Sequence, residues 1–417
     1  MKKIMILLLG MLLILTSCAP KTKDDDNNED KVLQKESEST KDDTSLVPSQ
    51  RLSKKNYQIP IPYRTSAARG VIVKQLGNRL DIDEMEEGLR RHSKAVFDPE
   101  EYLFEEGQYL DEDTVYDWLG RKKTKDQLKK AKQEYRKEHN LDDDEEVKDS
   151  DVQKGALNPS IKTFDDDADV DDIKQAEEDN PKYLSHILEQ NFLTRKDDDT
   201  TELSGISIGL ALKSVYQYQT EEGGSNHYKK ISDKDIEKNG KKIAETVLER
   251  IRKMEGLEDV PVMIALYREE SQDSPVPGNF IASTNVSGGD SSIKEWEDID
   301  EEYVLFPSDD AKDDHFETYE VVQDFGEEIS DYFPDYVGVI GEGFYTGDDL
   351  QKLTLEIPLD FYGKGEVIAF TQYVYGLVQD KFPEGYDLEI EISSSDQMES
   401  LIYREPDDEK PSVHIFH

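Results

Sequence analysis

Cysteine is all but absent: Cys18 stands alone among 417 residues. A bridge needs two thiols, so no disulfide forms within the chain, and the usual cysteine-based zinc spacings are missing too. Basic charge is scarce beside acidic charge, 51 Lys and Arg against 95 Asp and Glu, for a formal net charge of −44. A field of that sign repels duplexes and anionic bilayer surfaces, which argues against nucleic-acid binding. Apolar residues are few as well, at 35%, equal to the charged share, so part of the chain is solvated tail or loop. Tryptophan is limited to two residues, although 21 tyrosines supply aromatic material for a core.

Long apolar runs are missing except at the amino terminus. There, Lys2 and Lys3 precede Ile4 to Leu15, apolar throughout apart from Gly10. A membrane-spanning helix needs roughly twenty such residues, so this run has the length of a signal-peptide hydrophobic region. Leu15-Thr16-Ser17-Cys18 then fits a bacterial lipobox, an aliphatic residue and two small residues before the cysteine that becomes residue one. The thiol carries diacylglycerol through a thioether, and small neighbours let a peptidase reach the Ser17–Cys18 bond. Two acyl chains hold a protein stably on a bilayer, where one holds it only marginally. Residues 1–17 are therefore expected to be a lipoprotein signal peptide. Residues 18–56, opening "APKTKDDDNNEDKVLQ", form a disordered charged tether too poor in apolar residues to pack.

The remainder is expected as a mixed region over 57–200, with a charged low-complexity segment at 140–180, followed by a C-terminal α+β domain over 201–417. Pro60 and Pro62, alternating with Ile59 and Ile61, predict an extended edge segment. Ile82, Met85 and Leu89 predict a helix over about 82–92. Thr124-Lys125-Asp126-Gln127 reads as a capping box opening a basic helix to about His139. Residues 121–140 hold nine Lys or Arg against three acids, and residues 141–180 hold sixteen acids against four lysines. Such blocks are read as solvated faces that partly neutralise each other, with partner docking as the sharper alternative.

From residue 203 the pattern turns regular. "LSGISIGLALKSVYQYQ" alternates like a strand with Ile206, Ile208, Leu210 and Leu212 on one face. Residues 232–255 carry a helical stripe of Ile236, Ile243, Val247 and Ile251, weakened at Gly240 by about 1 kcal/mol. "VPVMIALYRE" follows as a buried strand. Strands at "NFIASTN" and "YVGVIGEGFY" flank a helix near 317–333. "LQKLTLEIPLDFYG", "GEVIAFTQYVYGLVQDKF" and "YDLEIEISS" then read as strand, helix and strand. The order strand, helix, strand thus occurs twice, as two related modules or an internal duplication would give. Alternating polarity points to mixed and antiparallel sheets with one covered face and packed helices, an α+β rather than a doubly wound fold.

Motifs that carry chemistry are weak. Gly205-Ile206-Ser207-Ile208-Gly209 matches the serine-hydrolase elbow G-x-S-x-G, but the alternation runs straight on and no helix opens after Ser207. A strand whose small residues admit a closely packed element is the better reading. Asp167, Asp169 and Asp171 with Glu178 echo a calcium loop, yet Asp172 stands where the sharp turn needs glycine and Lys174 where an aliphatic belongs. "EEGGSN" and "VSGGDSS" are loop tips. The histidines, His92, His139, His186, His227, His315, His414 and His417, are scattered. No catalytic, cofactor-binding or metal residue is called on this basis.

Several longer stretches resemble the CamS family of sex-pheromone-precursor lipoproteins of Gram-positive bacteria: "IPYRTSAARG", "EEGQYL", "GISIGLALKSVYQYQ", "SGGDSSIKEW" with "EEYVLFPS", and "VHIF". The resemblance covers roughly 57–417, apart from the charged segment, and includes the lipobox. It implies a secreted protein lipidated at Cys18 and held on the outer face of the cell membrane. It also implies that the severed leader is trimmed to a short hydrophobic peptide with mating-signal activity. The equivalent stretch is Met11-Leu12-Leu13-Ile14-Leu15-Thr16-Ser17. Its Ile-Leu-x-Ser ending agrees with the family's pheromone pattern, whereas its first three residues and Thr16 depart from it. The expected partners are the membrane, through the lipid on Cys18, and lipoprotein-processing enzymes. The resemblance brings no cofactor and no catalytic residue, so the folded part is expected to be a non-enzymatic binding module. The alternatives are a solute-binding lipoprotein of an importer and a serine hydrolase through Ser207.

Overall fold

In the computed structural model, residues 47–48 and 53–416 are described, apart from 143–144, 154, 166, 198–199, 222, 334–335, 361–362 and 395–396. The expected signal peptide, the candidate peptide 11–17, Cys18, most of the tether and His417 lie outside the described residues.

Small residues decide how the first half is built. Gln58 bridges to Leu103, so the Pro60–Pro62 segment runs along an edge as expected. Helices α1 (Val71–Gln75) and α2 (Arg79–Ser93) lead to strand β1 (Leu103–Glu106) and then to α3 (Glu112–Leu119). The basic helix is α4 (Lys125–His139), opened by the predicted box: Gln127 N–H donates to Thr124 Oγ1 at 3.3 Å and Thr124 N–H to Gln127 Oε1 at 2.8 Å. It buries none of its residues. Two short helices, α5 (Asp149–Val152) and α6 (Val170–Asp179), complete the charged segment. Asp169 caps α6 by accepting from the Asp171 N–H at 2.9 Å, so the calcium-like run is helical from Val170 on and does not wrap as a loop.

Strands β2 (Leu184–Asp197) and β3 (Thr200–Lys213) then pair antiparallel along their length. After the β4 (Val215–Gln219) and β5 (Asn226–Lys230) hairpin, α7 (Asp233–Ile251) crosses to β6 (Val262–Glu269), which lies parallel to β3. Strands β7 (Asn279–Val286) and β8 (Glu297–Asp298) complete a sheet of order β1-β2-β3-β6-β7-β8. The boundary expected at residue 200 therefore falls at a hairpin inside one sheet, because β2 and β3 share a continuous ladder. The two sheets part at 298–301 instead.

Both faces of this first sheet are covered, which corrects the one-face expectation. Ile206, Ile208, Leu210 and Leu212 meet α7 and α3, whereas the intervening positions meet α2 and Phe97 just beyond it. Those positions are Gly205, Ser207, Gly209 and Ala211, so the alternation in β3 is one of size: small side chains admit α2. A Cβ at Gly209 would stand 3.1 Å from Met85, and one at Gly205 only 2.1 Å from the Phe97 ring. Gly240 has a parallel role. Its Cβ would lie 2.5 Å from Leu212 Cδ1, so the helix accepts the propensity cost in order to sit against β3 and β6.

The second half repeats the core connection. Strand β9 (Glu301–Phe306), helices α8 (Asp309–Asp314) and α9 (Phe316–Tyr332), and strands β10 (Ile340–Thr346) and β11 (Asp349–Pro358) lead to α10 (Lys364–Lys381). That helix crosses to β12 (Asp387–Ser394), parallel to β11, and β13 (Gln397–Arg404) and β14 (Ser412–Ile415) follow. The sheet order is β9-β10-β11-β12-β13-β14. Each sheet thus has one parallel pair joined by a helix and flanked by antiparallel strands, the twin strand–helix–strand units read from the sequence. Here the one-face expectation holds. Leu353, Leu355, Ile357, Leu388, Ile390 and Ile392 pack in one core with residues of α9 and α10. Thr354, Glu356, Asp387, Glu389 and Glu391 alternate with them on the other face. The fold is α+β, and both sheets belong to one compact unit.

Candidate functional site

Helix α2 builds two concavities because three of its faces are occupied differently. Met85, Gly88 and Leu89 press on the first sheet, and the missing side chain at Gly88 leaves room for Phe280, whose ring would stand 2.5 Å from a Cβ there. Glu84 and Arg91, two turns apart, face the second sheet. Glu86 and Arg90, one turn apart, face the entering segment 59–70 and β1.

On the Glu84 side lies an open cleft of about 650 Å³ between α2 and the uncovered face of the second sheet. The Arg91 guanidinium donates to Glu84 at 2.7 Å and to Glu301 at 3.1 Å, and lies 4.5 Å from the Phe344 ring centre. Tyr303 donates its hydroxyl to Glu84, and its ring lies tilted against Phe344 with centres 4.8 Å apart. His92 Nε2 sits 3.2 Å from Glu301. Burial alone would raise the Glu301 carboxyl, but the bonds from His92 and Arg91 overcome it and hold Glu301 below its ordinary range. Glu84 is displaced upward by burial, which Arg91 only partly offsets. Arg91 is thus committed to joining the two sheets, and Lys352, the other cation of the cleft, pairs with Glu389 within the second sheet at 2.6 Å. Its remaining lining, with Asp83, Glu87, Glu342 and Asp387, is acidic.

On the other side lies a smaller, more enclosed pocket of about 210 Å³. Its floor is β2, where His186, Leu188, Gln190 and Phe192 alternate on the α2 side. Loop 107–110 is pinned beside it because the backbone N–H groups of Gln108, Tyr109 and Leu110 donate to the Glu189 carboxylate at 2.9, 3.1 and 2.6 Å. Glu106 at the rim accepts from the Tyr63 hydroxyl and, at 2.5 Å, from the Ser66 N–H. Two stretches that carry the family resemblance, 61–70 and 105–110, therefore meet here. His186 is 2% exposed, and burial holds its imidazole down to about 3, so the ring is neutral. Its Nδ1 has no hydrogen-bond partner. Gln190, 3% exposed, donates Nε2 to the Glu86 carbonyl at 2.7 Å and leaves Oε1 without a partner.

The residues singled out from sequence are not gathered at either site, His92 and His186 excepted. Ser207 is fully buried in mid-strand, 2.7 Å from the Ser93 hydroxyl, as the straight-strand reading requires. His139 stacks on Tyr135, His227 on Tyr218, His315 pairs with Glu302, and His414 lies on β14. Among the described residues no group of three or more His, Cys, Asp or Glu is placed to hold a metal ion. No helix among them is long and apolar enough to cross a membrane. Glu86 and Arg90 were not singled out, nor was Gln190, and His186 was named only among the scattered histidines. A signal existed for the last two: in "YLSHILEQNFL", His186 and Gln190 share the period-two face of Leu188 and Phe192, which is unusual for a core strand.

Solved structures of this architecture include relatives of the chain, two of which are 27–30% identical to it. The C-terminal domain of the sex pheromone staph-cAM373 precursor from Staphylococcus aureus is 30% identical, with a TM-score of 0.68 over 82% of this chain and 98% of that one. The sex pheromone precursor from Lactobacillus salivarius is 27% identical, with a TM-score of 0.74 over 89% of this chain and 99% of the other. No curated protein matches the sequence. A family model described as CamS sex pheromone cAM373 precursor matches residues 63–410. With this span and these folds, the chain belongs to the CamS sex pheromone cAM373 precursor family.

Proposed function

We propose that the chain is a lipid-anchored protein on the outer face of a Gram-positive cell membrane, and that its folded part is a binding module. The observation that carries the first half is Leu15-Thr16-Ser17-Cys18 at the foot of the only long apolar run, in a member of a pheromone-precursor family. Cleavage before Cys18 releases a leader ending in Met11-Leu12-Leu13-Ile14-Leu15-Thr16-Ser17, the candidate signal peptide, and diacylglycerol on the Cys18 sulfur retains the remainder. Residues 18–56 act as a spacer that holds a strongly acidic fold away from an anionic surface. Lipoprotein-processing enzymes and the membrane are then the partners of the amino-terminal part.

The binding reading of the folded part is supported by an enclosed pocket with partnerless buried polar groups. Ser207, the one residue with a hydrolase motif, is sealed in a strand core away from both concavities. The importer reading gains nothing from the architecture, in which each sheet has a single helix-bridged parallel pair. Fractionation of palmitate-fed cells tests the anchor. The wild-type chain is expected in the membrane fraction with label, and Cys18→Ala in the medium or soluble fraction without it. Equal membrane retention of both would overturn the anchor.

A further inference from the structure

The enclosed pocket under α2 has a set of unsatisfied groups specific enough to name a ligand class. Leaving a buried polar atom unpaired costs stability, and folded proteins rarely leave several around one cavity. Here His186 Nδ1, Gln190 Oε1 and Arg90 Nε are all buried without a hydrogen-bond partner. Because Gln190 commits its amide N–H to the Glu86 carbonyl, its free atom is an acceptor and requires a donor.

The charges at the mouth point the same way. Glu and Arg one turn apart on a helix ordinarily pair with each other. Instead the Arg90 guanidinium lies over the Phe104 ring, 4.7 Å from its centre, and acts on the Glu86 carboxylate only through space. Arg69 at the same rim pairs with Glu106 at 3.8 Å, which leaves Arg90 and Glu86 as the cation and anion held apart there. Ile72, Phe104, Leu110 and Leu188 supply apolar wall between them, in a volume of about 210 Å³.

We propose that this pocket binds a free α-amino acid with an aliphatic side chain. Arg90 receives the carboxylate. Glu86, Gln190 Oε1 and the neutral His186 offer three acceptors to the three N–H groups of the ammonium, and the side chain lies on the apolar wall. Both charges of the ligand are needed, because either rim charge left facing an uncharged group loses its partner in a partly dry site. The inference rests on reading the folded part as a binding module and is independent of the lipid anchor, so either can fail without the other.

Isothermal titration of the full chain in detergent with L-leucine, N-acetyl-leucine and leucinamide tests it. Saturable one-to-one binding of leucine is expected, with each blocked analogue weaker by at least about tenfold. Arg90→Gln and Glu86→Gln are each expected to weaken leucine by a similar factor. Glu86→Gln lies at an exposed position and keeps the test sound if the other variant folds poorly. No binding of leucine, valine, isoleucine or methionine at millimolar concentration would overturn the proposal. So would a blocked analogue that binds as tightly as leucine, or leucine binding unchanged in folded Glu86→Gln.

Discussion

At Gly205 the nearest atom to an added methyl is Phe97 Cε1 at 2.1 Å, and Phe97 itself is locked against Phe192 with ring centres 4.5 Å apart. The ring has nowhere to go, so Gly205→Ala is expected to destabilise the protein by about 1–3 kcal/mol in urea unfolding. A neutral effect would mean that β3 tolerates bulk on the α2 side. Glu269 is a second residue whose surroundings make a measurable claim. Burial raises its carboxyl from 4.5 to about 7, offset in part by the Lys213 ammonium 3.6 Å away. The folded chain holds this proton more tightly than the unfolded one. Its contribution is complete below pH 4.5 and is lost as pH rises through about 7. Glu269→Gln removes that loss, so the variant is expected to gain about 3 kcal/mol on wild type between pH 4.5 and 8. Denaturation at the two ends of the range checks it, and a variant-to-wild-type difference that stays flat would contradict it.

At the scale of elements, α2 and α4 make opposite demands. Arg91 on α2 neutralises Glu84 and Glu301, which are 8% and 5% exposed, across the junction of the two sheets. Arg91→Ala leaves two buried carboxylates facing each other and is expected to cost about 3–5 kcal/mol, with one cooperative transition splitting or broadening. Helix α4 buries nothing, so losing its cap at Thr124 is a local event. Thr124→Ala is expected to speed amide exchange over 125–139, by about 1 kcal/mol of local stability, with the global melting temperature unchanged. A drop in the global transition would show that α4 is part of the core after all.

Legibility follows the same division. Helices α2, α4 and α7 were readable because an apolar stripe or a cap marks each one. Strands β3, β11 and β12 were readable because large apolar residues recur at period two, and β6 because its apolar residues run unbroken. Strands β2, β13 and β14 were not, since β2 carries His186, Glu189, Gln190 and Asn191 inside the core and the other two mix polar with apolar residues. The pocket was invisible for a related reason. Its groups come from α2, β1, β2 and the 59–70 segment, and only their convergence gives them meaning.

For the whole molecule, an acidic body follows a charged stretch and a lipobox. Its twin sheets place a pocket and a cleft on either side of one helix, and nothing in that body explains a lone cysteine. Cys18 and Met11–Ser17 lie outside the described residues, so the case for them is chemical: one thiol, at one bond, after one apolar run. Mass spectrometry of the amino-terminal peptide from membrane-purified protein tests this most directly. The account predicts a chain that begins at Cys18 and carries the mass of a diacylglyceryl thioether, with no peptide that spans Ser17–Cys18. An unmodified Cys18, or a leader still joined through that bond, would contradict it.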